Sequence, residues 1–98
     1  MKDKFLRLLG LSRRAGKLTL GAEKSAESVK KNRAKAIFFA CDISPKTRKE
    51  IDFILKTTQI TSHVTKYGIE EISDAIGAPA GVVAVEDDGF AKALINEL

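Results

Sequence analysis

Ala36-Ile37-Phe38-Phe39-Ala40-Cys41 is six apolar residues in a row, closed off by Lys35 before it and Asp42 after it. A strand with one wet face alternates between apolar and polar residues, and this run does not. It therefore predicts a strand buried on both faces, at the centre of a sheet. Gly81-Val82-Val83-Ala84-Val85 has the same character and predicts a second such strand. Ser62-His63-Val64-Thr65-Lys66 is rich in β-branched residues and alternates weakly, which predicts a third. Lys17-Leu18-Thr19-Leu20 has room for only a short strand or an extended link.

Between these runs the apolar period changes to that of helices. From Asp3 to Ala15, Phe5, Leu8, Leu9 and Ala15 share a helical face that Leu6 and Leu11 widen, with Arg13 and Arg14 in the last turn and Gly16 as the stop. Gly21 leads a second helix whose thin inner face is Ala22, Ala26 and Val29, ending near Asn32. Ser44-Pro45 is an N-cap followed by a first-turn proline, and Ile51, Ile54 and Leu55 carry that third helix towards Thr57. Ile69, Ile72 and Ile76 predict a fourth helix from Gly68 that stops at Gly77. Asp87 or Asp88 caps a last one, with Phe90, Ala91, Leu94, Ile95 and Leu98 as its inner face. Strands alternating with helices predict an α/β layer architecture whose small sheet is covered on both sides.

The chain has 98 residues, 44% hydrophobic and 31% charged, with seven Gly and two Pro. That is the composition of one ordinary globular domain over residues 1–98, without a linker, repeat or low-complexity tract. One cysteine, Cys41, allows neither an internal disulfide nor a cysteine-based zinc cluster. No apolar run approaches the roughly 18–20 residues a bilayer requires, and the N-terminus does not read as a signal peptide. A soluble cytoplasmic protein with no membrane partner is expected.

Charge is distributed unevenly. The net is +4, but residues 1–35 carry eleven Lys/Arg against three Asp/Glu, whereas residues 67–98 carry one against seven. A basic first third favours polyanions, nucleic acid above all. The seven glycines form neither a dinucleotide fingerprint nor a phosphate loop, so no nucleotide cofactor is expected. His63 has no carboxylate near it in sequence, and Cys41 ends an apolar strand, where a thiol is expected to be buried and inert. Glu70-Glu71 and Asp87-Asp88 are adjacent pairs that do not share a helix face, and capping and solvation account for them. No catalytic or metal site is expected.

What remains is the cluster Arg13, Arg14, Lys17, Lys24, Lys30, Lys31, Arg33 and Lys35 around a helix that starts at Gly21. A helix start leaves backbone N–H groups free for anions, and glycine places no side chain in their way. There is no Trp, and Phe5, Phe38, Phe39 and Phe90 all fall on inner faces. Recognition by an aromatic sheet is therefore disfavoured, which leaves shape and backbone reading.

Gly21-Ala22-Glu23-Lys24-Ser25-Ala26-Glu27, Arg33-Ala34-Lys35 and Ala40-Cys41-Asp42-Ile43-Ser44-Pro45 together resemble the core of the kink-turn-binding ribosomal proteins. This superfamily includes archaeal ribosomal protein seven-Ae and eukaryal large-subunit protein thirty-e. Glu71-Ile72, Ala75-Ile76-Gly77 and the closing Gly81–Val85 run resemble its later segment. Leu9-Gly10-Leu11 and Arg14-Ala15-Gly16-Lys17 are similar to its bacterial YlxQ-type branch. Spanning almost the whole chain, the resemblance implies a three-layer α/β/α sandwich around a mixed sheet of about four strands. It also implies a non-enzymatic monomer, without cofactor, that binds structured RNA, ribosomal RNA first. The family holds RNA with a loop and helix start reading Gly, any residue, Asn, Glu, two more, then Lys, and with an apolar loop before the last strand. Here Gly21 matches, Glu23, Lys24 and Glu27 replace the Asn, Glu and Lys, and the apolar loop is Ala78, Pro79 and Ala80.

The expected RNA surface is thus Gly21, Ala22, Glu23 and Lys24 with Ala78, Pro79 and Ala80, while Arg13, Arg14, Lys17, Lys30 and Lys31 contact phosphates. Five such contacts imply a log–log salt slope of roughly −3.5 to −4.5. Two other readings are open. The acidic last third would suit a protein-interaction scaffold with a basic partner. Ile72-Ser73-Asp74 and Gly81–Val85 also resemble the substrate-recognition domain of SpoU-type ribose methyltransferases, whose separate knotted domain for S-adenosylmethionine cannot fit within 98 residues.

Overall fold

A computed structural model describes residues 3–98. In chain order the elements are α1 Lys4–Arg14, β1 Leu18–Leu20, α2 Ala22–Lys30, β2 Ala36–Phe39, α3 Pro45–Leu55, β3 Thr61–Val64, α4 Ile69–Ile76, β4 Val82–Val85 and α5 Asp88–Asn96. The strands form one mixed sheet in the order β1-β4-β2-β3. β2 and β3 are parallel, with Phe39 opposite Val64, while β4 is antiparallel to both β1 and β2 and pairs Val83 with Leu20 and with Phe38. The two continuous apolar runs thus occupy the two inner positions, where every residue of both strands is buried. The more polar β1 and β3 form the edges, as strands with partial access to water must.

Alternation along β2 and β4 divides the core into two layers. Phe38, Val83 and Val85 face Phe5, Leu9, Ile72 and Leu94 from α1, α4 and α5. Ile37, Phe39, Val82 and Ala84 face Val29, Ile51 and Leu55 from α2 and α3. The result is the three-layer α/β/α sandwich implied by the resemblance. Burying one such Phe or Ile contributes about 1.5–3 kcal/mol. Among the described residues no helix is long and apolar enough to cross a membrane.

Local stop and start signals act as the sequence suggests. Ser44 Oγ accepts the Thr47 N–H at 3.1 Å, Asp87 Oδ2 accepts that of Phe90 at 2.9 Å, and Gly77 closes α4 in the left-handed region. Four expectations need correction. Cys41 lies just beyond β2 and is exposed, because its N–H turns to the Tyr67 carbonyl where the sheet ends. The buried face of α2 is Ser25, Ser28 and Val29, with Ala22 and Ala26 only half-buried. The sheet surface under this helix accommodates small hydroxyls, and Ser28 Oγ donates to Glu86 at 2.6 Å. Ile95 and Leu98 fall outside the inner face of α5, which ends with Leu94, and Leu98 is 55% exposed. Phe90, expected to be buried, is half-buried.

Candidate nucleic-acid interface

Strand direction decides which loops meet. β1, β2 and β3 run the same way, so their C-terminal ends share one edge of the sheet, and β4 starts from that edge because it runs against them. Gly21–Lys24, Ala40–Pro45, Thr65–Gly68 and Gly81 therefore gather there. In open α/β sheets the carboxyl ends of the strands are where ligands bind. Each of these strands is followed by a helix, so α2, α3 and α4 all begin at this edge, and their dipoles add positive partial charge to it.

Two of the three helix starts are already occupied by side chains. Ser44 caps α3, while Glu71 Oε1 accepts the Gly68 N–H at 3.1 Å and Asp42 Oδ1 accepts the Ile69 N–H at 2.9 Å at α4. Asp3 and Asp87 cap α1 and α5. Among the described residues α2 alone has no side-chain acceptor at its start. Gly21 sits at φ 93°, ψ 157°, a conformation essentially closed to other residues. It is held from both sides: its N–H donates to Val82 O at 2.8 Å and its carbonyl accepts the Ser25 N–H at 2.9 Å. A Cβ there would meet no heavy atom within 4 Å. The tip is open to solvent, with Glu23 and Lys24 exposed beside it.

The second expected element reaches the same edge. Residues 77–80 return from the end of α4 to β4, pinned by Ser73, whose Oγ accepts the Ala80 N–H at 3.1 Å and whose carbonyl accepts the Ala78 N–H at 3.2 Å. Ala80 is buried, Ala78 half-buried and Pro79 exposed, so the loop presents Pro79 outward. Gly81 fits because Ile43 and Ile69 close over it: a Cβ would stand 2.8 Å from Ile43 Cδ1. Arg13 flanks the loop's start, donating from Nη1 to Ile76 O at 2.5 Å, and Arg14 lines the groove that includes Gly77.

Not all the expected cations come with them. Arg13 and Arg14 end α1 directly before Lys17 and β1, Lys30 and Lys31 end α2, and Arg33 and Lys35 precede β2; all seven therefore lie towards the opposite edge. A nine-residue helix places Lys30 roughly 13 Å from Gly21. Sequence proximity around α2 does not separate the two ends of a helix. Lys46, in the first turn of α3, is exposed at the near edge and did not stand out in the sequence. Its one local signal is a cation where the helix dipole disfavours it.

Much of the acidity of the last third is engaged within the molecule. Glu71 and Asp87 cap helices, Glu97 pairs with Lys4 at 3.5 Å, and Glu86 accepts from Thr19 at 2.8 Å and from Ser28 at 2.6 Å. Burial works to raise the Glu86 pKa, but the Ser28 and Thr19 hydroxyls, with Arg33 and Lys17 nearby, hold it below its ordinary value. His63 stacks on Phe38 with ring centroids 5.4 Å apart, and Thr61 Oγ1 lies 2.8 Å from its Nε2; partial burial lowers its pKa. It has no carboxylate partner among the described hydrogen bonds and ion pairs, and no metal-binding group of His, Cys, Asp and Glu occurs among the described residues.

Residues 3–95 match the model of the ribosomal protein L7Ae/L30e/S12e/Gadd45 family. An Enterococcus faecium relative described as RNA-binding protein YlxQ is 33% identical over 91 residues, covering 93% of this chain and 87% of the relative. A Bacillus halodurans protein of unknown function has the same fold at a TM-score of 0.91 and 28% identity, covering 97% of this chain and 96% of the other. The 15.5kD RNA binding protein of Giardia lamblia superposes at a TM-score of 0.77 with 12% identity, over 98% of this chain and 86% of that one, a likeness of fold alone.

Proposed function

The chain belongs to the ribosomal protein L7Ae/L30e/S12e/Gadd45 family, and from this premise we propose that it binds folded RNA, without catalysing a reaction, through the sheet edge that carries Gly21. The observation that supports this most directly is the start of α2, the one helix among those described that no side chain caps, open at the edge where three helices begin. The N–H groups of Ala22, Glu23 and Lys24 present donors to a phosphate or a base edge, and the Lys24 ammonium adds a point charge. Glu23 accepts from base amino or imino groups, and Pro79 and Ala78 supply an apolar contact for an unstacked base.

The target proposed is a bent or bulged helix of kink-turn type, in ribosomal RNA, bound by a monomer in the cytoplasm. A bulge fits because its unstacked bases are open to the Gly21 tip, where Glu23 and Lys24 are exposed, and to the exposed Pro79, whereas the major groove of a regular RNA helix is too deep and narrow to be read. With Lys24 and Lys46 as phosphate contacts, the log–log salt slope is about −1.4 to −1.8.

Mobility shift with a bulged ribosomal RNA helix tests the proposal. The natural chain binds at low salt, Lys24→Glu weakens binding and lowers the salt slope by about one, and Lys92→Glu, at an exposed position of α5, changes neither. Failure to bind any bulged helix at low salt refutes the proposal.

A further inference from the structure

The cations that the fold carries away from Gly21 collect at the opposite edge. Lys17, Lys30, Lys31, Arg33, Lys35 and Lys56 stand there, where α2 and α3 end and β1 and β2 begin. Three have a carboxylate at hand: Lys31 pairs with Glu27 at 3.7 Å, and Lys17 and Arg33 flank Glu86. Lys30, Lys35 and Lys56 are exposed and enter no ion pair among the described residues. Part of their charge offsets the carbonyl ends of α2 and α3, each worth about half a unit of negative charge. Three free ammonium groups exceed that demand.

These three lysines line one groove. Its first bay lies between Lys30 and Asn32 on one side and Phe53 and Lys56 on the other, and its second continues past Asn32 to Lys35, with one carboxylate, Asp88, on its wall. Phe53 is 70% exposed on α3, although its neighbours Ile51 and Leu55 are buried, and Lys56 Nζ stands 5.4 Å from its ring centroid. An aromatic ring largely open to water, with Lys56 over one face and cations without ion pairs beside it, matches what an unpaired nucleic-acid strand offers, flat bases alternating with phosphates. An acidic peptide answers the lysines but has no repeating flat group for the ring. A duplex hides its base faces.

We propose that this groove binds a segment of unpaired RNA, with a base stacked on Phe53 and the adjoining phosphates held by Lys30, Lys35 and Lys56. With folded RNA at the Gly21 edge as proposed above, the protein would join two RNA elements across the sheet, but binding in this groove is a separate matter. The inference does not depend on what the Gly21 edge binds.

Fluorescence anisotropy with a short labelled oligoadenylate and the full chain tests it. Phe53→Ala weakens binding about five-fold or more. The double variant Lys30→Glu, Lys56→Glu weakens it further and flattens its salt dependence, while Lys92→Glu leaves it unchanged. All variant positions are exposed, and circular dichroism matching the natural chain verifies the fold. A bulged duplex without unpaired tails serves as the second probe: its binding is indifferent to Phe53→Ala. The proposal is overturned if oligoadenylate does not bind at low salt, or if Phe53→Ala and the double variant bind it like the natural chain. Displacement by polyglutamate from the natural chain and Phe53→Ala alike also overturns it, by assigning the groove to acidic protein.

Discussion

Gly21→Ala is the substitution that examines the start of α2 most directly. At φ 93°, ψ 157° an added Cβ collides with the residue's own backbone, whereas its surroundings are empty to 4 Å. The cost is therefore conformational alone. The residue cannot escape by turning, because its N–H is held by Val82 O and its carbonyl by the Ser25 N–H. Relaxing φ means giving up one of those bonds, at about 0.5–1.5 kcal/mol. Keeping them means strain of about 1–3 kcal/mol. The variant takes the cheaper route, and for a domain of this size each kcal/mol lowers Tm by about 4–8 °C, so Gly21→Ala is expected to melt about 2–12 °C lower. Gly77→Asn provides the contrast. Gly77 lies in the left-handed region at φ 76°, ψ 22°, which asparagine tolerates, as Asn32 at φ 60° already does here. It is expected to cost less than Gly21→Ala. Thermal unfolding followed by circular dichroism decides the matter. If Gly21→Ala melts within a degree or so of the natural chain, or if Gly77→Asn is the more damaging, the backbone argument for the tip fails.

Other substitutions examine the rest of the framework. Gly10→Ala places a Cβ 2.8 Å from the Ala75 carbonyl oxygen; the overpacking of about 1–3 kcal/mol outweighs the helix-propensity gain of up to about 1 kcal/mol, and a lower urea midpoint is expected. Glu86 has its folded pKa below the ordinary 4.5, so its contribution is present above that value and is lost as pH falls through the folded pKa. The gap in Tm between the natural chain and Glu86→Gln should accordingly narrow on acidification, and a gap constant with pH counts against that role. Tyr67 is pushed up to about 12, by burial and then by its hydrogen bond to Asp3, from 10.0. Its contribution is complete below pH 10 and is lost as pH rises through the folded value, so urea midpoints of the natural chain should fall between about pH 10 and about pH 12, and those of Tyr67→Phe should fall less.

How far the chain could be read in advance differs from feature to feature. The apolar runs at Ala36–Phe39 and Val82–Val85 announced themselves as inner strands because only double burial permits an unbroken apolar stretch. Ser44, Asp87 and Gly77 marked helix ends because capping is settled within a few residues. Gly21 was legible as a helix start for the same reason. The burial of Ser25 and Ser28 was not: a small hydroxyl can face either water or a partner, and Glu86 stands 58 residues away from Ser28. Nor did Cys41 betray its exposure, since an apolar run does not say where pairing stops.

Periodicity and capping, both local, sufficed to establish an α/β protein with its helices and inner strands in nearly the right places. The allocation of charge between two edges was beyond them. It follows from β4 inserting antiparallel between β1 and β2, a pairing of residues as much as 67 apart, Leu18 with Val85. That insertion brings Gly81, where the loop after α4 enters β4, beside Gly21 at one edge, while the lengths of β1 and α2 leave Lys17, Lys30 and Lys31 at the other. A local pattern specifies which residues face inward, but the direction in which a strand enters a sheet is set by partners distant in the chain, and strand direction determines which loops become neighbours.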